Sequence, residues 1–262
     1  MIQSFDLFER FCPALLSASG DRTRVIGSEN GYSVHYIPFE YVNTDARLVL
    51  VGITPGPTQI ECAYAKAREL LNGPTMTTAD TLREIKQSCG FVGVMRERIF
   101  EMLDHFGIPQ CVGVETAASL WSSDLVHATS ILPNAAFKNG KGFNGPFSDV
   151  LKIALLRREF EDVFIPSIEG ITKDALYIGM GPVVDEALSW CASRGVLAEQ
   201  QILGWFPHPS GQSGSQFGYF MRRKRLADLK PNDPVRYRVR ALDAAYERIA
   251  ANVKAFSLAN RA

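Results

Sequence analysis

The sequence has no surplus of either charge: 28 lysines and arginines stand against 28 aspartates and glutamates in 262 residues. That balance excludes a generally sticky polycation, although it averages over the whole surface and leaves room for a local basic patch. The five cysteines, Cys12, Cys62, Cys89, Cys111 and Cys191, contain no C-x-x-C pair, which argues against a zinc ribbon or a cysteine-held iron–sulfur cluster. Their odd, scattered number predicts reduced thiols rather than a disulfide framework. No stretch approaches the roughly 18 apolar residues that mark a membrane helix. The opening residues MIQSFDLFERF carry early acids and no long apolar run, so they do not read as a secretory leader. There is no Walker-type lysine loop, which weighs against a nucleotide or phosphate-sugar enzyme on a doubly wound sheet. The expectation is a soluble, cytoplasmic protein that needs no metal and no cofactor.

What is present is ordinary globular material, 46% apolar and 21% charged. Four short apolar runs read as buried strands: Leu48–Ile53, Leu125–Leu132, Leu176–Met180 and Ile202–Phe206. They lack period-2 alternation, as strands covered on both faces do. Helical spacing fills the intervals at Ile60–Leu71, Thr78–Ser88, Val94–His105, Thr116–Trp121, Ser148–Phe160 and Pro182–Arg194. Strand and helix in alternation predict an α/β fold, a three-layer sandwich with a central four-stranded, mostly parallel sheet flanked by helices. A helix over Phe5–Leu16 and a strand near Ser33–Phe39 precede this core. The last helix has Val235, Val239, Leu242, Tyr246, Ile249, Val253 and Phe256 on one stripe, with Asp233 and Pro234 suited to its start. No linker is evident, so residues 1–262 read as one domain with an N-terminal helical extension and a long C-terminal helix.

In open α/β sheets the working groups gather at the carboxyl ends of the strands. Two strand ends here carry unusual loops. The first is Gly52-Ile53-Thr54-Pro55-Gly56-Pro57-Thr58-Gln59, a stiff turn in which Gly56 would let backbone approach a ligand. The second is Pro207-His208-Pro209-Ser210-Gly211-Gln212-Ser213-Gly214. Proline on both sides nearly fixes the His208 backbone, and a fixed imidazole can donate to charge developing on a substrate. Ser210, Gly211, Gln212 and Ser213 add small donors and open backbone N–H groups suited to phosphate.

Together, a G-x-x-P-G loop after the first core strand and an H-P-S loop after the last resemble the uracil-DNA glycosylase superfamily. GITPGP is similar to its water-activating motif, and HPSGQSG to the loop that carries its histidine and its wedge into the duplex. The strand order extends the likeness from Leu48 to Leu226. The resemblance implies an enzyme that draws a deaminated or damaged base, uracil or related, out of DNA and hydrolyses its N-glycosidic bond, with water as co-substrate. His208 would stabilise the departing base anion as a neutral donor. Gly52, Ile53, Pro55 and Gly56 would shape the pocket. The family places Asp or Asn third in the first motif, or Glu second. This chain has Thr54 and Ile53 there. A threonine hydroxyl can bond a water but cannot act as a base at neutral pH, so Glu61 is the first alternative acid and Asp149 the second. Asn134 is the nearest amide to the place where the family reads the base edge, with Thr129 and Ser130 as alternatives. Tyr64 or Phe147 would supply the stacking face.

Arg222, Arg223, Lys224 and Arg225 follow the second loop directly, a placement suited to phosphate contacts. Arg236, Arg238 and Arg240 continue the bias, while acids such as Glu159, Glu161 and Asp162 cluster elsewhere. The glycine-rich Lys138–Gly145 segment, carrying Phe143, reads as a mobile loop, a backbone contact or a plain connection. The altered first motif keeps a second reading open: a non-catalytic member of the same superfamily that binds nucleic acid or a nucleobase without cutting.

Overall fold

A computed structural model describes residues 5–16 and 24–259 of the chain. The elements run α1 (Asp6–Leu16), β1 (Val25–Glu29), β2 (Tyr32–His35), β3 (Leu48–Gly52), α2 (Pro57–Leu71), α3 (Thr78–Cys89), α4 (Val94–Phe106), α5 (Ile108–Cys111) and α6 (Ala117–Trp121). They continue with β4 (Val126–Ser130), β5 (Ala135–Lys138), β6 (Lys141–Gly142), α7 (Phe147–Lys152), α8 (Ala154–Arg158) and α9 (Ile165–Glu169). Then come β7 (Leu176–Met180), α10 (Pro182–Ser193), β8 (Ile202–Phe206), α11 (Gly214–Phe220) and α12 (Val239–Ala259).

The core is α/β: a four-stranded parallel sheet in the order β4-β3-β7-β8, flanked by helices. Every residue of β3, β7 and β8 is buried, which is why these runs carry no polar alternation. Leu48 N–H donates to Leu125 O and Ile131 N–H to Gly52 O, so β3 and β4 run in the same direction.

A second, antiparallel sheet, β1-β2-β5-β6, was not expected. Its hairpins turn at Asn30-Gly31 and Asn139-Gly140, all four with positive φ, the Asn-Gly pairing that two-residue turns favour. The segment read as a glycine-rich loop is thus a tight hairpin, and Phe143 is buried beside Tyr32 rather than presented to a partner. The helix expected over Ser148–Phe160 is interrupted at Ile153, whose extended backbone separates α7 from α8, and it ends in a π-helical turn at Glu159–Phe164. Asp233 and Pro234 start a separate 3₁₀ turn, Pro234–Tyr237, and α12 begins only at Val239.

Contacts gather into two compact units. The first comprises Met1–Thr44, Val51–Val92 and His127–Thr172. Its core joins Phe8, Phe11 and Leu15 of α1 to Ala63 and Ala67 of α2 and to Leu82 and Ile85 of α3. Cys62 and Cys89 are disulfide-bonded. This corrects the expectation of reduced thiols throughout: α2 and α3 lie side by side and bring these two α-carbons to 5.5 Å, within bridging range. Cys12, Cys111 and Cys191 are free.

The second unit comprises Asp45–Leu50, Gly93–Val126 and Lys173–Ala262. Its core holds an aromatic cluster of Phe106, Phe206, Phe220 and Tyr246, with ring centroids 4.8 to 6.1 Å apart. Gly204, in β8, has φ +134°, and a Cβ there would lie 3.0 Å from Ile249 of α12. This glycine therefore lets the long helix lie against the strand. No helix among the described residues is long and apolar enough to cross a membrane.

Candidate functional site

The first loop leaves β3 still tied to the exit of β4. Ile131 and Leu132 donate their N–H groups to the Gly52 and Ile53 carbonyls, both at 2.9 Å. A Cβ at Gly52 would meet Ser130 Oγ at 3.2 Å and the Phe91 ring at 3.6 Å, so the close approach falls at Gly52. Around Gly56 there is open space. Phe91 has φ +46°, a costly conformation for a bulky side chain and one that clusters at functional sites.

Phe91, Gly90, Ser130, Thr129 and Pro133 wall a slot with Phe39, Gln59 and Lys86. Its volume is about 10 Å³, room for a single water. Its lining carries side-chain donors at Lys86, Gln59, Thr129 and Ser130. Lys86, only 6% exposed, spends two N–H bonds on the carbonyls of Phe39 and Tyr41, at 2.7 and 2.6 Å. Burial pushes its pKa down to about 7, against the pull of Glu40. Gln59 accepts the Gly56 N–H through Oε1 at 3.3 Å. No carboxylate lines the slot.

A wider cleft of about 420 Å³ opens beside the start of α2, lined by Pro57, Ile60, Glu61 and Tyr64 with Ser33, His35 and Phe137. Glu61 is exposed there. Tyr64 is not an open face: its hydroxyl donates to Tyr36 O at 2.6 Å and the Arg24 guanidinium covers its ring at 4.1 Å.

Two of the polar residues singled out in the sequence are bound up in holding the loop. The Thr54 hydroxyl donates to Asn134 O and accepts the Ala136 N–H, both at 2.9 Å. Asn134 is buried. Its Oδ1 accepts the Ile37 N–H, and its Nδ2 donates to Glu159 at 3.2 Å. Neither end of that amide presents an edge to a ligand. Glu159, expected on an acidic surface, is itself buried; burial raises its pKa while hydrogen bonds from Asn134 oppose the shift. Phe147 lies in the core, edge-on to Phe160 at 5.2 Å, and stacks on nothing external. Asp149 accepts from Tyr32 Oη at 3.3 Å and pairs with Lys138 at 3.4 Å.

The second loop leaves β8 from Phe206, a member of the aromatic cluster. Pro207 and Pro209 are buried and the side chain between them is exposed. Ser210 N–H donates to His208 Nδ1 at 3.3 Å, which leaves the neutral ring's proton on Nε2. The protein around the ring lowers the His208 pKa by desolvation, which favours the neutral imidazole. Ser210 and Ser213 are joined through their hydroxyls at 3.1 Å. Gly211, Gln212 and Ser213 form a 3₁₀ turn. Arg98 of α4, which no motif flagged, donates to the Ser210 carbonyl and lies over the Phe217 ring at 5.0 Å.

The basic run is less available than its sequence suggests. Arg222 pairs with Asp243 and Glu247 and covers Tyr246. Arg223 pairs with Glu101 at 2.6 Å and Arg225 with Asp228 at 3.4 Å. Lys224 is exposed, with Nζ 3.5 Å from Ser215 Oγ.

Fold and loops together define an α/β protein with a glycine-proline turn closing its first core strand and a proline-locked histidine closing its last. No family model and no solved structure matches the chain. It is 32% identical over 200 residues to "Uncharacterized protein YoxB" of Bacillus subtilis (strain 168), an alignment covering 75% of this chain and 77% of that protein. The chain belongs to the YoxB family.

Proposed function

We propose that the protein is a uracil-DNA glycosylase-like enzyme that hydrolyses the N-glycosidic bond of a deaminated or damaged base in DNA. The observation that carries this reading is His208: prolines flank it, the Ser210 N–H donates to its Nδ1, and desolvation favours its neutral form. A preorganised neutral donor is what stabilisation of a departing base anion requires.

A second observation is the slot beside Gly52. It supports the reading through an aromatic wall at Phe91 and donors from Lys86, Gln59 and Ser130. Donors there favour a ring edge bearing carbonyl oxygens, as deamination creates. At about 10 Å³ the slot is closed to a base. In this scheme Phe91 leaves its strained conformation as the ring enters, and Gln59, in the first turn of α2, takes over the orienting of water that Thr54 is not free to perform.

The test is a panel of single- and double-stranded oligonucleotides containing uracil, hypoxanthine or other lesions, read for abasic product. Base release by the wild type, lost in His208→Ala, is expected. No release from any lesion at high enzyme concentration would sink the reading. The engaged Thr54 hydroxyl and the absence of a carboxylate from the slot favour a second reading, binding without cleavage. Under it, binding weakens with salt and no abasic product forms.

A further inference from the structure

Between Arg222 and Arg240 the chain carries eight basic residues and two acidic ones. The arginines nearest the second loop are neutralised by Glu101, Asp228, Asp243 and Glu247. At the far end Arg236 lies in the field of Asp233, but among the described residues no carboxylate forms an ion pair with Arg238 or Arg240. In their midst stands Tyr237, 89% exposed, the most exposed large hydrophobic side chain described.

This exposure is built. Tyr237 ends a 3₁₀ turn that Asp233 caps by accepting the Val235 N–H at 2.9 Å, while Asp233 also accepts from Ser215 Oγ at 2.7 Å. Val235 is buried beneath the turn. Arg236 donates to the carbonyls of Leu226, Leu229 and Lys230 at 2.6 to 3.2 Å, which ties down the backbone. A fixed turn thus holds one aromatic ring in solvent between the half-buried Arg236 and the exposed Arg238.

We infer that Tyr237 is a stacking platform for an unpaired nucleobase, with Arg238 and Arg240 taking the flanking phosphates, so that this surface binds single-stranded DNA. A ring face accepts any base, and cations beside it follow the backbone. The uncompensated positive charge selects a polyanion over an apolar partner. The inference rests on the nucleic-acid part of the function proposed above, but not on cleavage.

Anisotropy of a labelled oligothymidylate, free of any lesion, tests it at two or more salt concentrations. Tyr237→Ala is expected to weaken binding about tenfold without changing the salt slope, and Tyr237→Trp to restore it. Arg238→Ala with Arg240→Ala should lower that slope by about 1.4. An unchanged melting temperature for Tyr237→Ala, expected at so exposed a position, ties the loss to the surface. Equal binding by wild type and Tyr237→Ala would overturn the inference. So would polyglutamate displacing the oligonucleotide as well as unlabelled DNA does, since it has charge and no rings, or a dimer that Tyr237→Ala dissolves. Binding through Tyr237 without base release leaves this inference standing and ends the glycosylase reading. Base release with binding indifferent to Tyr237 does the reverse.

Discussion

Lys86 makes the pH dependence of stability a direct test of the slot. Its ammonium is buried against two carbonyls, and burial holds its pKa at about 7, where a solvated lysine titrates near 10.5. The folded chain therefore releases this proton more readily than the unfolded chain, and between those two values the unfolded state binds more protons. Stability then rises with pH through this window. Integrating the single titration from pH 7 to pH 9 gives a gain of about 2 kcal/mol from Lys86 alone. Below pH 7 the full penalty of the buried ammonium is present. Lys86→Met removes this rise with pH, and it also leaves the carbonyls of Phe39 and Tyr41 without that donor, a loss that does not vary with pH. Glu40 and His127, the charged and titratable neighbours that couple to Lys86, stay in place in both proteins. Urea denaturation of wild type and Lys86→Met at half-unit steps from pH 7 to pH 9 measures the difference in slope. Parallel curves would refute the reasoning: Lys86 would then be solvated, and the slot would hold an ordinary surface amine.

Thr54→Val keeps the shape of the first loop but removes both hydroxyl bonds and strands the Ala136 N–H. A loss of about 1–3 kcal/mol is expected in chemical denaturation, and a neutral result would mean the hydroxyl is free for a water after all. Gly204→Ala forces a Cβ into a φ of +134° and to 3.0 Å from Ile249. Thermal unfolding should show a cost of about 2 kcal/mol or more, and a silent substitution would mean that α12 moves aside freely.

The parallel sheet was legible because its strands are written as unbroken apolar runs; β7 and β8 coincide with Leu176–Met180 and Ile202–Phe206. The antiparallel sheet was not, because its strands are two to five residues long and mix polar with apolar positions. Its signal lay in the two Asn-Gly pairs, which mark hairpins by conformation and not by hydrophobicity. In the candidate site, the two loops announced themselves through proline and glycine. What each polar side chain does there was hidden. Thr54 and Asn134 are polar residues at strand ends in either role, and only the positions of Ala136, Ile37 and Glu159 decide that they brace the loop. Lys86 is a polar residue in an amphipathic helix until tertiary structure buries it, and nothing local marks the backbone of Phe91 as left-handed.

Each compact unit draws on three separate stretches of chain, and the stretches alternate. Separating the units would take cuts near residues 44, 50, 92, 126 and 172, so no simple truncation yields either one. The polypeptide must also join distant stretches before either core is complete, which places late-synthesised residues among the partners of early ones and slows closure. Dissection of this protein accordingly belongs to point substitution and not to fragments.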